Sequence, residues 1–186
     1  MITYFSILIK TKRTFKYLIE NDEGNYRLRT DLIFILSGLV TGVIVFFDRD
    51  WSMNGIIAKL FPFVFIVIIR FILYKFVFSF LILWISKNLK GNTNIDQVRF
   101  VLAYSLIPTI LILPLIILDG IFTLYQVDNL ILNWILFVIQ NLMVLYVFII
   151  MLIGIELLND FGYKKAFISI SPVLLLSIIM IVSAFA

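Results

Sequence analysis

Five long apolar runs divide this chain, and most of its charges lie in the segments between them. The runs cover residues 32–47, 62–85, 100–118, 130–153 and 166–186. Most reach the roughly 20 residues that a helix needs to cross a hydrocarbon core about 30 Å thick. Helices of water-soluble domains carry one apolar stripe, whereas these segments are apolar around their whole circumference. The pattern predicts an all-α integral membrane protein, a bundle of five transmembrane helices. Its spans are expected at about 31–48, 62–86, 99–119, 130–154 and 166–186.

Composition narrows the chemistry. Hydrophobic residues make up 63% of the chain and charged residues 14%, against about 45–50% and about 25% in soluble domains. Five spans and their loops use up nearly all of the 186 residues, leaving no room for a second globular unit. The chain has no Cys and no His. Disulfides and thiolate metal sites are thereby excluded, and the commonest metal ligand and general base is missing. Most nucleophile–base pairs fall with them, and no Gly-rich phosphate loop is present. No cofactor, metal or nucleic acid is expected, since the net charge of +4 reflects where the basic residues sit. The first apolar residues precede Lys10, Lys12, Arg13 and Lys16, the reverse of a signal peptide, so this segment is expected to be retained.

The basic residues orient the bundle. With segments assigned alternately to two sides, one side holds Lys10, Lys12, Arg13, Lys16, Arg27, Arg29, Lys87, Lys90, Arg99, Lys164 and Lys165. The other holds only Arg49 and Lys59. Cytoplasmic loops carry the excess of Lys and Arg, so the N-terminus is expected inside and the C-terminus outside. Residues 1–30 read as a cytoplasmic interfacial segment. Phe5, Leu8, Ile9, Phe15, Leu18 and Ile19 recur at near-helical spacing beside a basic face. Such an amphipathic helix lies in the headgroup plane, drawn to anionic lipid. Glu20 to Asn25 reads as a turn, and Trp51 to Phe61 as a partly interfacial stretch before Pro62 opens the second span.

Two cations lie inside the second span. Counted from Pro62, Arg70 is about 12 Å deep and Lys75 about 20 Å deep. Intramembrane cations must face the bundle interior, a watery cavity or headgroups, and each costs at least ~2.5 kcal/mol to insert. One reading is a site for an anionic ligand or lipid group at Arg70 and Lys75. The other is internal pairing that holds helices together. Gln140 and Asn141 of the fourth span fall at an intermediate depth, and Asp119 at the end of the third is placed to reach toward Arg70. Gly38 and Gly42 form a small-residue pair suited to close helix packing. Pro108, Pro114 and Pro172 should kink their spans. Glu156 and Asp160, one turn apart, read as a solvated helix end rather than a metal pair.

The segment from Gly91 through Tyr104, Ser105 and Pro108 resembles the Yip family of small polytopic membrane proteins, named for interaction with Ypt/Rab GTPases. Gly162, Lys165, Ala166 and Pro172 look like that family's short inner loop and fifth span. The resemblance extends from about Thr14 to the C-terminus and implies that residues 31–186 form a Yip-like helical membrane domain. In eukaryotes the family has trafficking and membrane-shaping roles. This chain lacks the long N-terminal region and acidic motif of many eukaryotic members and is similar to the short bacterial ones.

These features lead to the expectation of a non-enzymatic multi-pass protein of the bacterial inner membrane that organises membrane or recruits partners. The partners would be membrane lipids and a membrane protein or a second copy of the chain. The alternative is a transporter, channel or lipid-handling protein built on Arg70 and Lys75.

Overall fold

The structure is a computed structural model that describes residues 6–21, 26–47, 56–124 and 130–185. Among these, every regular element is helical. Apolar segments without water to bond their backbone must satisfy it internally, and helices do so residue by residue. The elements are α1 (Ser6–Ile9), α2 (Thr11–Asn21), α3 (Tyr26–Phe47), α4 (Ile56–Ile72), a π-helical turn (Leu73–Phe78) and α5 (Ser79–Asn88). They continue with α6 (Ile95–Ser105), α7 (Ile107–Leu111), α8 (Leu113–Leu124), α9 (Leu130–Asn159) and α10 (Tyr163–Phe185). Among the described residues, four stretches are long and apolar enough to cross a membrane: Arg27–Phe47, Lys59–Asn88, Ile95–Phe122 and Trp134–Asn159.

Several boundaries differ from the sequence reading. α3 starts at Tyr26, so the expected division between residues 30 and 31 falls inside a helix. α4 starts at Ile56, which places Pro62 within the helix rather than in its first turn. Trp51 and residues 22–25 lie outside the described residues. The third span breaks at Leu106 and Ile112, each two residues before a proline. Pro108 has no N–H to give, and its ring crowds the preceding turn. The Leu106 N–H turns to the Ala103 carbonyl at 3.0 Å instead. Thr109 Oγ1 donates to the Leu106 carbonyl at 2.6 Å. Pro172 sits within the unbroken α10.

α3 and α4 form the tightest antiparallel pair, and two glycines set their register. A Cβ on Gly38 would meet the Val67 carbonyl oxygen at 3.2 Å, and one on Gly42 the Phe63 ring at 2.9 Å. Phe34 stacks on Tyr74 at 6.3 Å, and Phe46 meets Phe63 edge-on at 6.3 Å. Gly38→Leu should therefore force the helices apart and cost about 1–3 kcal/mol. Thermal unfolding of the detergent-solubilised protein checks this.

The third span is the central one. Of its apolar window 56% is buried, against 17% for the second and fourth spans. Val98, Val101, Leu102, Ala103, Tyr104 and Leu106 anchor the main core. α3, α6 and α10 begin, and α5 and α9 finish, at one end of the bundle, the charged end.

The N-terminal helices pack on the bundle through one face. Ile7 and Phe15 are fully buried in the main core. Phe15 packs on Gly154 and meets Phe100 edge-on at 6.1 Å. Tyr146 Oη donates to the Leu8 carbonyl. A bend at Lys10 separates α1 from α2, and within α1 Ile7 faces inward while Ile9, two positions on, is exposed. Lys12 lies 3.5 Å from Glu156, so that carboxylate pairs with a cation of α2. Asp160 leaves the helix with φ 51° and is exposed.

Candidate functional site

The intramembrane Lys75 leads to the site. The register that pairs Gly38 with Val67 carries Lys75 to the start of α3. There its Nζ donates to Asp31 Oδ2 at 2.7 Å. Asp31 immediately precedes the first apolar run. Lys75 is therefore level with the start of the first apolar run. The apolar stretch of the second span is simply longer than the first, and it overshoots at the charged end.

The backbone around Lys75 is unusual. Leu73–Phe78 is a π-helical turn, a local widening that takes carbonyls out of the regular ladder and recurs at functional sites. Ser79 Oγ donates to the Tyr74 carbonyl at 2.8 Å. The Lys75 carbonyl receives Arg99 Nε–H at 2.9 Å. A guanidinium from α6 thus caps the backbone of the same residue whose ammonium reaches α3. The Lys75 ammonium also lies 5.0 Å from the Phe71 ring, and both it and Arg99 lie over Phe76 at 5.8 and 5.5 Å. These rings give the cations a favourable apolar floor.

Asp96 completes the arrangement. It sits in the first turn of α6, where an acid complements the helix dipole. Asn94 caps that helix through a reciprocal box with Gln97, at 2.9 and 3.0 Å. Arg27 Nη2 reaches Asp96 Oδ2 at 2.7 Å, and Arg99 Nη1 lies 3.4 Å from Oδ1. Arg27, Thr30, Asp31, Lys75, Ile95, Asp96 and Arg99 line one pocket of about 430 Å³. Three cations against two carboxylates leave it one net positive charge. Lys75, Arg99 and Asp96 side chains are 22%, 25% and 21% exposed, whereas Arg27 is 73% exposed. The Arg27 pair is therefore worth at most ~1 kcal/mol, as solvated pairs are.

The other predicted ligand residues do not gather here. Arg70 lies one and a half turns from Lys75, its guanidinium 5.6 Å from the Tyr74 ring. It does not line the pocket. Asn141 is exposed and donates to the Phe137 carbonyl of its own helix at 2.8 Å. Gln140 and Asn141 belong to α9, which packs on α10, α6 and α7, while α4 packs chiefly on α3. Asp119 is on α8, between α3 and α9, and no ion pair joins it to Arg70 among the described residues. Depth alone had grouped these residues. The azimuth of each helix keeps them apart.

The motif residues of the third span serve packing. Tyr104 is buried and packs against Phe100 at 4.4 Å. Ser105 Oγ donates to the Leu102 carbonyl at 2.7 Å, and Pro108 is buried at the start of α7. Gly91 closes a second joint at the charged end. A Cβ there would stand 2.0 Å from Asn159 Oδ1. Thr93 Oγ1 donates to that oxygen at 3.1 Å, and Asn159 Nδ2 donates to the Ile155 carbonyl at 3.0 Å. Gly162 has open space around it.

Asp31, Asp96 and Asn159 were missed as contributors. For the two aspartates the available signal was their side: carboxylates among eleven cations have partners close by wherever the helices place them.

A search of curated proteins and one of solved structures each found no match. The family model described as the Yip1 domain matches residues 5–185, nearly the whole length, and the chain belongs to that family.

Proposed function

We propose that this chain is a five-span, non-enzymatic protein of the bacterial inner membrane, N-terminus inside and C-terminus outside. It organises membrane or recruits a membrane-protein partner through its charged end. The observation that carries this reading is the concentration of basic side chains there. Of the eleven Lys and Arg on that side, all but Arg99 are exposed. Exposed cations attract anionic headgroups and acidic protein surfaces, each worth about 1 kcal/mol near a charged leaflet. Below them, paired charges join α3, the π turn and α6 into one unit.

Two measurements test it. The chain has no Cys, so single cysteines can report sidedness. Lys16→Cys, Lys87→Cys and Lys164→Cys should label only from the cytoplasmic face, and Gln126→Cys only from the other. The opposite pattern would reverse the orientation. For recruitment, a variant with Lys87, Lys90, Lys164 and Lys165 all changed to Gln should lose proteins cross-linked to the parent in native membranes. An unchanged set of cross-links would remove the basis for recruitment by this surface.

A further inference from the structure

We infer that the pocket at Lys75, Asp31, Asp96 and Arg99 binds the headgroup of a phospholipid that carries both a phosphodiester and a primary ammonium. The inference does not depend on partner recruitment. It needs only that these helices cross a bilayer.

The pocket stands where such headgroups lie. Asp31 marks the point at which the apolar run of α3 begins, and headgroup regions flank the hydrocarbon on each side. Its volume of about 430 Å³ is within the range of about 300–1,000 Å³ usual for small ligands. Exposed apolar side chains of Ile68, Ile72 and Phe76 run from its edge along α4 and the π turn, a surface on which acyl chains can lie.

The lining selects for both signs of charge. An ammonium has three donors. Lys75 gives one to Asp31 at 2.7 Å. Arg99 uses Nε on the Lys75 carbonyl and Nη1 on Asp96. Among the described residues its Nη2 has no partner, and neither does Asp31 Oδ1. Lys75 and Arg99 thus offer charge-assisted donors to a phosphate, the strong class of hydrogen bond. Asp31 and Asp96 offer acceptors to an ammonium a few ångströms away. A purely anionic headgroup would gain the first set and be repelled by the second. A quaternary ammonium has no N–H to give the carboxylates.

Lipid binding to the full chain, followed by native mass spectrometry in detergent, tests the assignment. Phosphatidylethanolamine should bind about tenfold more tightly than phosphatidylcholine or phosphatidylglycerol of the same chains, the effect of one lost charged hydrogen bond. Equal binding of the three would overturn the inference. Soluble glycerophosphoethanolamine should bind at least about tenfold more weakly than the lipid. If it binds as well, the ligand is water-soluble and the lipid assignment fails. Arg99→Gln should lower affinity for phosphatidylethanolamine and phosphatidylglycerol together, and Asp31→Asn should erase the preference between them. Retained preference in Asp31→Asn would overturn the role given to the carboxylate. Should a variant fail to fold, the ranking of lipids by the parent protein decides the question alone.

Discussion

Gly91→Ala will destabilise the protein by about 2–4 kcal/mol, read as a fall in the thermal midpoint of the detergent-solubilised chain. The added methyl would stand 2.0 Å from Asn159 Oδ1, 2.8 Å from its Cγ and 2.9 Å from the Ser86 carbonyl oxygen. The carbonyl is backbone and cannot swing away. Asn159 is 5% exposed and holds two hydrogen bonds, one from Thr93 and one to its own helix. Moving it leaves buried polar groups unpaired, at about 1–3 kcal/mol each. Asn159→Ala in the Gly91→Ala background should recover part of the loss, because it removes the clash together with the group that would be stranded. Equal midpoints for the parent and Gly91→Ala would show that the joint is looser than this geometry.

Lys75→Leu is the second large expected effect, and its partner gives the control. The single change strands the Asp31 carboxylate at the edge of the apolar zone, and breaking a largely covered pair costs more than the pair contributes. Asp31 is 34% exposed, so water offsets part of this and the expected cost is about 2 kcal/mol. The double variant Asp31→Leu, Lys75→Leu removes both charges and should regain at least about 1 kcal/mol of that loss. Additive losses in the double variant would mean that the two side chains act independently, against the 2.7 Å contact.

Both sites show why part of this molecule was legible beforehand. Long apolar runs depend on composition along the chain, so the helices and the segregation of charge to one end could be read directly. The glycine pair in α3 was legible for a similar reason, since small residues four apart mark a close-approach face whatever lies opposite. Pro108 and Pro114 announced their breaks because a missing N–H acts locally. Family membership was readable from short motifs, and those motifs turn out to hold packing residues: Tyr104 in the core, Gly91 against Asn159.

The candidate site was only partly legible. Depth along a span follows from counting residues, but only once the membrane edge is known. Pro62 was taken as that edge, and α4 in fact begins six residues earlier at Ile56. Counting from Pro62 did not reveal that Lys75 is level with Asp31 at the start of the first apolar run. Gln140, Asn141 and Asp119 were then grouped with it by depth, although depth carries no information about which neighbour a helix face meets.

Local chemistry therefore settled the class of the protein, its helices, its kinks and the charge asymmetry, because each depends on residues close in sequence. Tertiary packing alone decided the rest. It packed Ile7 of α1 and Phe15 of α2 into the core, set α3 against α4 through glycines, opened a π turn at Lys75, and brought Arg27, Asp31, Asp96 and Arg99 around one pocket. Those contacts join residues 44 and 69 positions apart, and only the rotation and register of whole helices determine such pairs.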